Sequence, residues 1–201
     1  MEIRERILEA AARVYALHGY RGATTRLIAN EAGVNEVTLF RTFGSKDSLF
    51  EELARDQANA TVVPELPGHP VDPERELTEW CHVVLDSLTR ERSFLRKSMS
   101  EMEERPLAAE AACRGPHCAA EELGRYVDVL TTYELAQTGG DTSAAISMLM
   151  SSLFGDAMCR EMMPGAFPEP AEDAPNRYAK CFLRAAGMSL RAAPKSKVTA
   201  A

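Results

Sequence analysis

Proline placement constrains this chain most: none of its eleven prolines occurs before position 64, and then Pro64, Pro67, Pro70 and Pro73 arrive at every third residue. Proline fixes the backbone and has no amide hydrogen to donate, so such a run interrupts helical structure. Everything before Pro64 is free to be helical, and residues 61–72 read as an extended linker between two modules.

The first module shows helical periodicity. Ile3, Ile7, Ala10, Val14 and Leu17 share one helical face, and Gly19 follows as a stop, which predicts a helix over 3–18. Thr24 and Thr25 offer hydroxyls to free amides at the start of a short helix over 26–32, which Gly33 ends. Asn35 caps a third helix carrying Val37, Leu39, Phe40 and Phe43, and Ser45 caps a fourth in which Leu49, Phe50 and Leu53 face inward. Beyond the linker, Asp72-Pro73-Glu74 opens a helix over 73–90, with further helices expected over 93–103, 116–136, 141–162 and 174–190. No segment alternates as a strand. The chain reads as all-α, with about nine helices, split into an N-terminal module over 1–50 and a larger helical domain over 51–201 with the fourth helix bridging.

Hydrophobic residues make up 45% of the chain and charged residues 26%, enough to bury a core. The charged N-terminus and the absence of a long apolar run predict a cytoplasmic protein with no membrane segment. Five scattered cysteines predict free thiols. The formal net charge of -7 argues against coating nucleic acid by charge alone. Its distribution is uneven, because residues 1–46 carry seven Lys or Arg against five Glu.

The joint between the second and third helices carries the chemistry. Ala29, Gly33 four residues on and Leu39 ten on follow a helix-turn-helix register: a small residue where the helices approach, a glycine in the turn and a leucine that buries the second helix. The surrounding words are Ile7-Leu8-Glu9-Ala10-Ala11, His18-Gly19-Tyr20, Thr24-Thr25, Ile28-Ala29, Ala32-Gly33-Val34, Thr38-Leu39-Phe40, Phe43 and Lys46-Asp47-Ser48-Leu49. With that register, residues 3 to about 55 closely resemble the tetracycline-repressor-like (TetR) family of bacterial transcriptional regulators.

The resemblance implies a homodimer that places one helix of each subunit in the major groove of a palindromic double-stranded DNA operator. It also implies a C-terminal domain that binds a small effector and releases the DNA, more often as a repressor than an activator. Asn35, Glu36, Val37 and Thr38 would then face base edges, and Thr25, Arg26, Arg41 and Lys46 would face phosphates, with Thr24 and Phe40 completing the interface. Phe40 stands where the family usually has a tyrosine that can reach a phosphate. Glu36 either accepts from cytosine N4 or is a solvated cap residue. Arg4, Arg6 and Arg13 read as a solvated face paired with Glu2, Glu5 and Glu9. The alternative is a helical interaction module or small-molecule-binding protein whose helix-turn-helix is only scaffold.

Methionines concentrate in the C-terminal part, and thioethers suit an adaptable apolar pocket. Trp80, Phe94, Met99, Met102 and Tyr126 are candidate effector contacts, as are Tyr133, Met150, Phe154 and Met158. Each of these side chains can equally be ordinary core. Ser147, Ser151, Gly155 and Cys159 form a ridge of small side chains that permits close helix packing, between subunits or within one. Cys113-Arg114-Gly115-Pro116-His117-Cys118 reads as a helix break and matches no common zinc spacing. No catalytic set is legible, so an enzyme is not expected, nor a cofactor or a metal.

Overall fold

The computed structural model describes residues 2–60, 63–104, 106–135 and 141–187, and every regular element among them is helical. The α-helices run α1 (Ile3–Gly22), α2 (Thr25–Glu31), α3 (Glu36–Phe43), α4 (Lys46–Ala60), α5 (Pro73–Ser100), α6 (Pro106–Thr132), α7 (Thr142–Cys159) and α8 (Ala174–Ala185). Two single-turn 3-10 helices, Pro164–Ala166 and Ala171–Asp173, lie between α7 and α8. The described residues fall into two compact units, one of residues 1–63 with 86–118 and one of residues 64–85 with 119–201.

In the first unit, α1 buries Ile7, Leu8, Ala10, Ala11, Val14 and Tyr15 against Ile28 and Ala29 of α2, Leu39 and Phe43 of α3, and Leu49, Phe50 and Leu53 of α4. The buried stripe is rotated from the expected one. Leu8, Ala11 and Tyr15 join it, while Ile3 and Leu17 stay 49% and 77% exposed, because the face in contact with α2 and α4 is centred further round the helix. The arginines of α1 are also tied more specifically than a solvated face would be. Arg6 donates to the Ala32 carbonyl at 2.6 Å, Arg4 pairs with Glu52 at 2.5 Å, and Arg13 pairs with Glu31 at 2.9 Å as well as with the expected Glu9 at 3.8 Å. Arg4 ties α1 to α4, and Arg6 and Arg13 tie it to the end of α2.

The rest of the first unit packs on the other end of α1. There Tyr15 meets the Phe94 ring at a centroid distance of 5.1 Å, and its hydroxyl lies 3.4 Å from Ser98 Oγ. The Tyr20 amide donates to Glu101 Oε1 at 3.0 Å.

Two expected helix boundaries are absent. α5 continues unbroken through Arg90-Glu91-Arg92-Ser93, where no proline or glycine stops it, and buries Leu88, Leu95 and Ser98 on one continuing face. α6 continues through Pro116, so the Cys113 to Cys118 segment is helix and not a break. An internal proline costs about 3 kcal/mol. Burial of Ala119, Leu123, Tyr126, Val127 and Leu130 on the following turns offsets it. α6 ends at Thr132, where Glu134 takes φ 55°, and α8 ends at Ala185 before Gly187 at φ 75°, so both stop short of the ends expected at 136 and 190. The first two residues of the 61–72 linker lie outside the described residues.

In the second unit the proline-rich segment is clasped by α5 and α6. Trp80 Nε1 donates to the Pro64 carbonyl at 2.8 Å, Glu122 accepts from the Leu66 amide at 2.5 Å, and Arg125 donates to the Leu66 carbonyl at 2.5 Å. The Arg125 guanidinium holds the Glu122 carboxyl below the usual carboxylate range. α7 and α8 are pinned by Asp156, whose oxygens accept from Arg160 at 2.5 Å and from the Tyr178 hydroxyl at 2.7 Å.

All five cysteines are free thiols. Cys81 is buried on α5, and burial pushes its thiol up to about 12, whereas Cys113 and Cys181 are exposed. A thiol reacts through its thiolate and needs access. In native protein, a thiol-disulfide reagent should modify Cys113 and Cys181 first and Cys81 only after unfolding. Mass mapping of early-modified peptides checks this, and early labelling of Cys81 would contradict the packing of α5.

Candidate nucleic-acid interface

The joint between α2 and α3 is built from side chains that satisfy their own helix ends. Thr24 Oγ1 accepts from the Leu27 amide at 3.2 Å and starts α2. α2 ends where the Val34 amide reaches the Ala29 carbonyl at 3.0 Å, and Gly33 turns the chain with φ +65°. A side chain strains that conformation, which accounts for glycine at this position. Ala29 is 2% exposed and Leu39 fully buried, so the small residue and the leucine of the register both sit at the helix contact.

Asn35 Oδ1 starts α3 by accepting from the Thr38 amide at 2.7 Å and from the Thr38 hydroxyl at 2.8 Å. The Thr25 hydroxyl at the start of α2 donates to Glu36 Oε1. Asn35, Glu36 and Thr38, all expected to face base edges, therefore each have a partner inside the protein. Glu36 is half-buried, which differs from both expectations for it: its carboxylate braces α3 on α2.

Leu39 and Phe43 form the inner face of α3. Val37 is 75% exposed and Phe40 43% exposed, and Arg41, one turn after Val37, is exposed as well. Arg26, in the first turn of α2, is also exposed, and no carboxylate among the described residues pairs with either Arg26 or Arg41. They differ in this from Arg4, Arg13 and Arg21, which form ion pairs, and from Arg6, which binds carbonyls.

Lys46 is half-buried at the start of α4. Its ammonium donates to the Tyr20 carbonyl and lies 4.2 Å from the Tyr20 ring centroid. A cation at the C-terminal end of α1 compensates the carbonyls there and the aromatic face beside it. Tyr20 is the residue that the sequence reading missed. Its carbonyl accepts from Lys46, its hydroxyl donates to Asp47, and its amide donates to Glu101. The one signal for it was its position directly after Gly19.

The nine candidate effector contacts are divided between the units. Phe94, Met99 and Met102 belong to the first, with both methionines at least 40% exposed. Trp80, Tyr126, Tyr133, Met150, Phe154 and Met158 belong to the second. Trp80 and Tyr126 are core side chains there, and the Tyr126 hydroxyl donates to Glu76 at 2.5 Å. Burial and the Glu76 carboxylate raise that phenol far above its ordinary range. Met158 is buried, Met150 and Phe154 are half-buried, and Tyr133 is exposed beside His69. Cys113, His117 and Cys118 lie along α6, and no group of three metal-ligating side chains occurs among the described residues.

Comparison with known proteins places the joint in a family. Residues 7–53 match the family described as bacterial regulatory proteins, tetR family. The HTH-type transcriptional repressor AcnR of Corynebacterium glutamicum is 41% identical over 91 residues, covering 41% of this chain and 47% of AcnR. The chain thus spans about half the length of that relative in the match. The HTH-type transcriptional regulator YvkB of Bacillus subtilis is 27% identical over 75% of this chain and 79% of its own. Two solved structures share the fold. A transcriptional regulator from Rhodococcus sp. Rha1 has a TM-score of 0.70 at 22% identity, covering 92% of this chain and 98% of that one. Salmonella enterica GusR has a TM-score of 0.67 at 20% identity, covering 90% and 95%. The matched segment contains α2, the Gly33 turn and α3, the same elements that the Ala29, Gly33 and Leu39 register organises, and over residues 7–53 the chain is similar to the tetR family of bacterial regulatory proteins.

Proposed function

We propose that this protein is a transcriptional repressor that binds a palindromic operator as a homodimer and is released by a small hydrophobic effector. The observation that carries the DNA part is the pairing pattern of the arginines. Arg41 on the outward side of α3 and Arg26 in the first turn of α2 are exposed and have no carboxylate partner among the described residues, while Arg4, Arg13 and Arg21 are neutralised within the unit. Unpaired guanidinium groups beside a braced helix suit phosphates on either side of a groove. The resemblance of the matched segment to AcnR, itself a transcriptional repressor, supports the same reading. Among the described residues no helix is long and apolar enough to cross a membrane.

Residues 1–50 are proposed as the DNA-reading module and 51–201 as the effector and dimer module, with Met150, Phe154 and Met158 of α7 the leading effector contacts. The dimer face is proposed on α7 as well. Ser147 and Ser151 are exposed there and Met148 is 64% exposed, whereas Gly155 faces the chain's own Phe167, 3.8 Å from where a Cβ would sit. The exposed part of the small-residue ridge is therefore its first half. Ser151→Trp should turn a dimer into a monomer in sedimentation, and a tryptophan variant that sediments as an intact dimer would remove α7 from the interface.

The operator reading is tested by presenting fragments of the source genome to the purified full chain at near-physiological salt with excess nonspecific DNA. One or a few palindromic sites are expected. Retention of no sequence above background would overturn the reading.

A further inference from the structure

α3 presents an unusual outward face for a DNA reader. The polar side chains of its first turn are committed inside the protein: Asn35 and Thr38 to each other, and Glu36 to the Thr25 hydroxyl. The side chain most fully presented in that turn is apolar, Val37 at 75% exposure. Among the described residues it stays uncovered, on the side of α3 away from the inner face formed by Leu39 and Phe43. Arg41 lies one turn further along the same side of α3, so a cation adjoins the exposed valine on this helix.

An isopropyl group neither donates nor accepts a hydrogen bond. In the major groove the one apolar group that projects from a base edge is the 5-methyl of thymine. We infer that Val37 reads that methyl, and that each half-site of the operator carries a thymine opposite the first turn of α3. The inference rests on the operator reading above and deepens it, since it names the base feature that the site selects. It also gives Glu36 a place: held by Thr25, its carboxylate is kept back from the phosphates and leaves the first turn to Val37. Phe40, 43% exposed and one turn on, is the remaining apolar side chain of this face and serves as the comparison.

The test uses the full chain and the palindrome selected from genomic fragments. Each thymine is replaced in turn by deoxyuridine, symmetrically in both half-sites, which removes one methyl and leaves every hydrogen-bonding group in place. Fluorescence anisotropy then gives the affinity of the native protein, Val37→Ala and Phe40→Ala. Burying one methyl group is worth about fourfold in affinity, so about fifteenfold is expected when both half-sites lose it. The native protein and Phe40→Ala should show that loss at one symmetric thymine pair, and Val37→Ala should bind the thymine and deoxyuridine operators alike. Val37 is exposed, so its truncation leaves the core intact, which circular dichroism checks. A selected palindrome whose deoxyuridine variants all bind equally well, or a Val37→Ala protein that keeps the full discrimination, overturns the inference and leaves the operator reading standing. Selection of no sequence at all overturns both.

Discussion

Gly19→Ala lowers the stability of the protein by about 3 kcal/mol, the sum of backbone strain and one lost hydrogen bond. Gly19 sits inside α1 at φ 65° and ψ 179°, a conformation that side-chain-bearing residues almost never adopt. A Cβ there would collide with Lys97 Cε and Glu101 Oε1. Both atoms are ends of flexible side chains and can move, so the clash alone is cheap. Its consequence is not, because Glu101 is the acceptor for the Tyr20 amide, and that partly buried N–H is left without its bond when the carboxylate is displaced. A loss of about 3 kcal/mol corresponds to roughly 6–12 °C in Tm for a chain of this size. Urea unfolding measures it directly. Gly68→Ala is the control, since a Cβ there meets nothing within 4 Å and the backbone is ordinary. A Gly19→Ala protein as stable as Gly68→Ala would mean that the kink in α1 and its hold by Glu101 are wrong.

Asp156→Ala has an effect of similar or larger size in the second unit. Asp156 is 2% exposed, and three hydrogen bonds end on its carboxylate: two from Arg160 at 2.5 Å and one from Tyr178 at 2.7 Å. The Arg160 guanidinium has a side chain only 19% exposed and also reaches the Pro168 carbonyl at 2.9 Å. Removing the carboxylate strands most of a buried cation and a phenol, and breaking such a pair costs about 3–5 kcal/mol. Attraction between the charges is a smaller consideration, because their desolvation opposes it. Replacing both partners by apolar residues of similar volume, as in Asp156→Leu with Arg160→Met, should therefore recover much of the loss in urea unfolding. Truncating the surface pair Arg21–Glu104, with side chains 85% and 63% exposed, should change stability by less than about 1 kcal/mol. If the Asp156 single variant behaves like the surface pair, the pin between α7 and α8 is not as described.

These two positions also mark what was legible in the sequence and what was not. Signals that act within a few residues could be read directly. Asn35, Ser45 and Asp72 each cap the helix that follows, and Gly33 takes the positive φ that a helix end requires. The Ala29, Gly33 and Leu39 register could be read for the same reason, since it lies within one short joint. Gly19 was legible as a stop, but its backbone angles depend on α1 resuming as far as Gly22.

Contacts across many residues could not be read. Arg6 reaches a carbonyl 26 positions away, Lys46 reaches back to Tyr20, and Tyr20 meets Glu101 beyond both. Nothing in local spacing distinguishes such a side chain from one on a solvated face. The continuation of α5 past Ser93 and of α6 through Pro116 was hidden for a related reason, because burial on later turns outweighs a weak local preference. The methionine-rich set was read from composition, which gives apolar character but not the unit to which each residue belongs. Asp156 carried no signal at all: a lone acid in an apolar stretch becomes a buried pin only when Tyr178, 22 positions on, arrives beside it.

The central claim, that α2 and α3 hold a DNA duplex through unpaired arginines, is tested most directly by the salt dependence of binding to the selected operator. Neutralising phosphates releases counterions, so log K should fall linearly with log salt, with a slope of about -0.9 per phosphate contacted. Each phosphate-binding arginine removed should reduce the slope by about 1, so Arg26→Ala in a dimer should reduce it by about 2. A steep slope in the native protein and a shallower one in Arg26→Ala is the predicted result. A slope near zero, or one that Arg26→Ala leaves unchanged, would contradict the account.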